Sequence, residues 1–143
     1  MKNTLKKFIA LLLVLVMAVS VVGVREVSAA KSWNPCRTWS KSIGDSVYLM
    51  QIENMNDTLV LDISDTTSIF DYFLTAKIKK VKDKKNVYKT YVIKDSITKE
   101  RCRNIGMKIT VYKRKIKVKL TGDWYSAFGA PGSSFGGTWK WKK

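Results

Sequence analysis

The sequence predicts an all-β fold: a small antiparallel meander, closed or partly closed into a β-barrel of seven to eight strands. Three observations predict it. After residue 45, apolar and polar residues mostly alternate with period two, the pattern of strands with one buried face. The alternating runs are separated mostly by short polar turns, so successive strands are joined as hairpins rather than crossovers. The stretch that carries the pattern, about 113 residues, can bury one core and no more.

The first thirty residues stand apart. Lys2, Lys6 and Lys7 precede the apolar stretch Phe8–Val22, and the small residues Ser28, Ala29 and Ala30 follow. This is the order of a secretory signal peptide, with cleavage after Ala29 or Ala30. The apolar run is shorter than the roughly 20 residues that a membrane-spanning helix needs. The expectation is a leader, 1–30, and one secreted domain, 31–143, with no transmembrane segment after cleavage. In an oxidising compartment the two cysteines, Cys36 and Cys102, read as a disulfide. On the chain-entropy model such a bridge would stabilise the domain by about 4 kcal/mol.

The expected strands are Ser46–Asn54, Thr58–Ser64, Asp71–Val81, Val87–Lys94, the two halves of Met107–Leu120, and Phe135–Lys142. The inward set of Asp71–Val81 shifts near its end, which predicts a bulge at Lys79-Lys80. The stretch Met107–Leu120 is the clearest. A reversal at Lys113-Arg114 pairs Met107 with Leu120, Ile109 with Val118 and Val111 with Ile116 on one face. Lys108, Thr110 and Tyr112 then oppose Lys119, Lys117 and Lys115 on the other. Residues 95–104 read as a loop or one helical turn. Thr121–Gly137, with five of the eight glycines and one of the two prolines, reads as a loop.

Charge is segregated along the chain. Residues 31–76 carry three basic and six acidic side chains, whereas 77–143 carry twenty basic and four acidic. A bias of this kind bears on partners rather than on fold. It points to an anionic extracellular polymer or an envelope surface; a plain solubilising coat of lysines is the alternative. Lys108, Lys113, Arg114, Lys115, Lys117 and Lys119 are the candidate anion-binding residues. Lys far outnumbers Arg, and bidentate reading of phosphate or guanine prefers Arg, so no specific nucleic-acid recognition is expected.

Aromatic residues give a second set of candidates: Trp124, Tyr125, Phe128, Trp139 and Trp141. They either line a pocket for a ligand or fold inward to plug the barrel. Trp33 and Trp39 flank Cys36, and the two chain ends are expected to meet there. Catalysis has little support. The chain has no His, so neither a Ser-His-Asp triad nor a Cys–His pair is available. Glu53, Asp71, Glu100 and Asp123 are acids with nothing in the sequence to pair them. Asp57, Asp62, Asp65 and Asp71 lack the spacing of a calcium loop. No metal and no cofactor is expected. In outline the size, leader and meander resemble lipocalin-like secreted barrels, although Gly44-Asp45-Ser46 stands where a G-x-W signature would begin. The functional expectation is a secreted, non-enzymatic binding module. The alternatives are a cationic envelope-associated protein held by charge, or an inhibitor of a foreign secreted enzyme.

Overall fold

A computed structural model describes residues 32–67 and 72–143. The expected leader and the start of the strand expected at Asp71 lie outside them. Eight antiparallel strands close into one barrel in sequence order. They are β1 (Thr38–Ile43), β2 (Ser46–Met55), β3 (Thr58–Asp65), β4 (Tyr72–Lys80), β5 (Val87–Asp95), β6 (Gly106–Val111), β7 (Lys115–Thr121) and β8 (Gly137–Trp141). A helix, α1 (Trp124–Ser133), joins β7 to β8.

Local chemistry sets these boundaries. Asn56 and Asp57 form the two-residue β2–β3 turn with φ of 49° and 60°. That backbone suits the twist of a hairpin, and short polar side chains tolerate it. The β6–β7 register is the one read from the alternation, Met107 opposite Leu120 through Val111 opposite Ile116. The bulge lies elsewhere than expected. Lys79 and Lys80 stay in register with Lys89 and Tyr88, and the extra residue is Tyr91 on β5, opposite the step from Lys77 to Ile78. A second irregularity puts Phe73 of β4 opposite the step from Ile63 to Ser64.

The barrel closes through β1 and β8, Trp39 against Trp141 and Ser40 against Lys140. Eight strands leave an interior just wide enough for side chains to fill. Trp39, Met50, Leu61, Leu74, Ile109, Ile116, Phe135 and Trp139 fill it and are fully buried. The Phe135 ring lies 5.5 Å from Tyr48, 6.0 Å from Phe73, 6.2 Å from Trp139 and 6.4 Å from Trp124. Each such ring pair adds about 0.5–1.5 kcal/mol beyond its buried area.

The segment 121–137 is a plug, and part of it is helical. Asp123 caps α1 by accepting from the Ser126 amide at 3.0 Å. Gly129 (φ 67°, ψ −162°) breaks the helix into two pieces. Pro131 follows that break, where its missing N–H costs little. Trp124 and Phe128, one turn apart, face the barrel, and the Trp124 indole N–H donates to the Thr121 carbonyl at 3.0 Å. Lys41, two residues along β1 from the buried Trp39, reaches the same end. Its ammonium donates to the carbonyls of Ser134, at 2.6 Å, and Gly136. Burial pushes its pKa down.

The expected disulfide is not formed; Cys36 and Cys102 are free thiols. The fold separates them along β5. Cys36 lies close enough to Tyr88 to perturb its titration, whereas the Cys102 amide donates to the Ile93 carbonyl at 2.9 Å. Five strand residues span roughly 15 Å, whereas a bridge needs its Cα atoms within about 7 Å. The two cysteines sit at opposite ends of the barrel. Burial raises the pKa of both thiols.

Candidate anion-binding face

A sheet places side chains on a lattice. Neighbouring strands lie about 4.8 Å apart, and alternate residues on one strand about 6.7 Å apart. The observed registers put Lys79 opposite Lys89, Lys89 opposite Lys108, and Lys108 opposite Lys119. These four lysines form one row across β4–β7, spanning about 14 Å at the usual strand spacing. Along β7, Lys115, Lys117 and Lys119 recur on the exposed face, and Lys140 of β8 opposes Lys115. Val118 opposes Gly137 and Lys117 opposes Thr138. These small β8 residues leave a groove of about 410 Å³ edged by Lys108, Lys117 and Lys119.

Like charges directly opposed across strands destabilise a sheet. Little on this wall relieves them. The Lys115 and Lys117 ammoniums lie 5.6 and 6.0 Å from the Tyr112 ring, and that of Lys79 lies 5.6 Å from the Tyr91 ring. Among the described residues no carboxylate forms an ion pair with any lysine of this wall. Glu53 lies on β2, and Asp62 lies on β3, where it opposes Thr75 of β4. Burial raises the Asp62 pKa, and Thr75 offsets part of this by donating to its carboxylate at 2.7 Å.

The predicted basic set therefore divides. Lys108, Lys117 and Lys119 share the groove, and Lys115 stands beside it. Lys113 and Arg114 occupy the β6–β7 turn, where their carbonyls accept from the Arg37 guanidinium at 3.3 Å and the Trp141 amide at 3.0 Å. Lys79 and Lys89 belong to the row and were missed. Their alternation with apolar neighbours is visible in the sequence, but the row appears only once four strands are in register.

The aromatic set does not assemble into a ligand pocket. Trp124 and Trp139 are core residues, Phe128 is half-buried against Trp124, and Tyr125 is 65% exposed on α1. Trp141 is at the other end of the barrel, where the Arg37 guanidinium stacks 4.2 Å from its ring. The calyx reading fails because indoles and Phe135 occupy the space that a ligand would need. A cleft of about 320 Å³ does open on the outside, beside β5, lined by Thr90, Tyr91, Ile93 and residues 101–105. Among the described residues no cluster of His, Cys, Asp and Glu could hold a metal ion. No helix among them is long and apolar enough to cross a membrane. No protein-family model, curated protein or solved structure matches this chain.

Proposed function

We propose that this protein is a secreted, non-enzymatic binding module that holds an anionic extracellular polymer against the lysine-bearing wall β4–β8. The observation that carries the reading is the row Lys79–Lys89–Lys108–Lys119. Four lysines stand opposite one another on successive strands, and no carboxylate among the described residues forms an ion pair with them. A polyanion laid across the row would supply the missing countercharge. The indoles and Phe135 that fill the barrel interior favour the outer wall as the working surface. Extracellular placement rests on the leader-like first thirty residues.

Binding of this kind is driven by counterion release and weakens steeply with salt. Affinity for a soluble polyphosphate should fall linearly on logarithmic axes with sodium chloride concentration. The triple variant Lys89→Gln, Lys108→Gln, Lys119→Gln should reduce that slope by about 3, one for each lost contact. The variant Glu53→Gln, on β2, should leave it unchanged. An unchanged slope in the triple variant would overturn the reading.

One observation favours inhibition of an enzyme as a second reading. The loop 95–101 is held by its own hydrogen bonds: the Asp95 carboxylate accepts from the amides of Ile97 and Thr98, both at 2.8 Å. It presents Ile97, 74% exposed, at its tip. A pre-organised loop loses little entropy on insertion into a partner. This reading predicts a stoichiometric complex that survives 0.5 M salt and is lost in Ile97→Asp.

A further inference from the structure

We propose that the cleft beside β5 seats one sugar unit bearing a tetrahedral anion, phosphate or sulfate, and so fixes in place a polymer that the lysine rows hold only diffusely. The inference rests on the reading of the wall as a polyanion surface and adds a site with its own chemistry.

The cleft is a consequence of the bulge. β5 pairs with β6 only from Val87 to Lys89, opposite Thr110 to Lys108. With Tyr91 as its extra residue, β5 then parts from β6, and residues 101–105 run into the gap. The Arg101–Lys94 bridge and the Cys102 amide bond to the Ile93 carbonyl hold this segment to β5. Its far end is braced from behind. Asn104 has a φ of 65°, and its carbonyl packs so close to Gly122 that a Cβ there would lie 1.9 Å from it. The wall of the cleft is thus fixed on both sides.

Its lining suits an anionic sugar. Arg101 and Arg103 both line it and no carboxylate does; Asp95, Glu100 and Asp123 line the adjoining hollow that residues 101–105 also border. The Arg101 guanidinium is steadied by donating to the Tyr91 carbonyl at 3.3 Å. The Arg103 side chain and the Asn104 amide form no hydrogen bond within the described residues, so their donors remain to be used. Planar guanidinium forks match the geometry of phosphate and sulfate oxygens, which an ammonium does not. The Tyr91 ring, 42% exposed, offers a stacking face, and Asn104 offers both a donor and an acceptor for hydroxyls. The volume falls at the lower limit of small-molecule sites, about 300–1,000 Å³. Continuity with the wall is direct, because the Tyr91 ring that edges the cleft is the one over which Lys79 of the lysine row lies.

The test is calorimetry on the chain from Lys31 onward in 0.3 M sodium chloride, which screens the lysine rows. The probes are glucose 6-phosphate, glucose 6-sulfate, inorganic phosphate and glucose. One sugar anion should bind with a stoichiometry of one, about tenfold more tightly than inorganic phosphate or glucose, and the preferred anion separates the two sources. Arg103→Lys should weaken it about fivefold although the charge is kept, and Glu53→Gln, on β2 and away from both the cleft and the lysine row, should leave it unchanged. Absence of saturable binding by either sugar anion, equal binding by inorganic phosphate, or unchanged affinity in Arg103→Lys would each overturn the proposal. Any of these with the salt slope for polyphosphate intact would count against the cleft alone. A normal sugar-anion isotherm with polyphosphate binding indifferent to the lysine variants would leave the cleft standing as a site but overturn its role in fixing a wall-bound polymer.

Discussion

At the scale of single residues the fold depends on a few positions that tolerate no side chain. Gly122 is the sharpest. It has a φ of 84°, and a Cβ would lie 1.9 Å from the Asn104 carbonyl oxygen and 2.9 Å from the Ile105 Cα. Both obstacles are backbone, so no side-chain rotation relieves them. Gly122→Ala should therefore destabilise the barrel by about 3 kcal/mol, combining left-handed strain with overpacking, as a lowered urea midpoint with an unchanged slope. Gly44→Ala is the control. Its φ is also positive, at 59°, but nothing lies within 4 Å of the added atom, so only the conformational cost applies. If the two variants unfold at the same midpoint, close packing of the 104–105 segment on Gly122 is not what holds the cleft wall.

At the scale of elements, α1 shows what local signals carry and what they do not. Its N-terminus is written in the sequence: Asp123 precedes Ser126 at the spacing of a side-chain cap. The Ser126 hydroxyl, at 2.6 Å, and amide hold the Asp123 carboxyl below the ordinary value of 3.8. Its folded pKa lies below its unfolded one, so its contribution is complete above the ordinary value and is lost as pH falls through the folded one. The Ser126 amide proton shift should report that loss in an acid titration. Asp123→Asn should keep the cap and abolish the transition, whereas Asp123→Ala should lose the cap at every pH. The rest of the helix was masked by Gly129, Pro131 and Gly132, which read as a loop because each opposes a regular helix; the break at Gly129 reconciles them with two helical pieces. β1 was missed for a different reason. Thr38–Ile43 has one fully buried residue, Trp39, and one half-buried apolar residue packed on the core, Ile43, and the inward position between them is the charged Lys41. Alternation cannot reveal a strand whose inner face carries a lysine that finds its partners 93 and 95 residues later. The β2–β3 and β6–β7 hairpins were legible because their registers follow from local alternation alone. The disulfide misled because cysteine parity carries no information about which end of a barrel each thiol reaches.

At the scale of the whole molecule, charge and fold oppose each other. The chain from residue 77 onward holds twenty basic and four acidic side chains, on β4–β8 and their connections, and the registers bring four of the lysines into one row. The bias was plain in the sequence; the four-lysine row was not, because it exists only between strands. Closing the barrel fixes the backbones of these lysines one strand spacing apart, whereas unfolding lets them part, so the folded state bears the greater repulsion. Raising ionic strength from 0.01 M to 0.1 M shortens the screening length from about 30 Å to about 10 Å. The melting temperature should therefore rise with sodium chloride across that range, by about 4–8 °C for each kcal/mol of repulsion relieved in a domain near this size. The direction is the informative part, since a fold stabilised by surface ion pairs would melt earlier as salt is added. Removing the repulsion covalently should have the same effect. The variant Lys89→Gln, Lys108→Gln, Lys119→Gln should melt higher than the parent at 0.01 M salt and respond less to added salt. If the parent proves indifferent to salt while the variant melts lower, the aliphatic stems of these lysines matter to the wall more than their charges, and the row has no unmet demand for a polyanion.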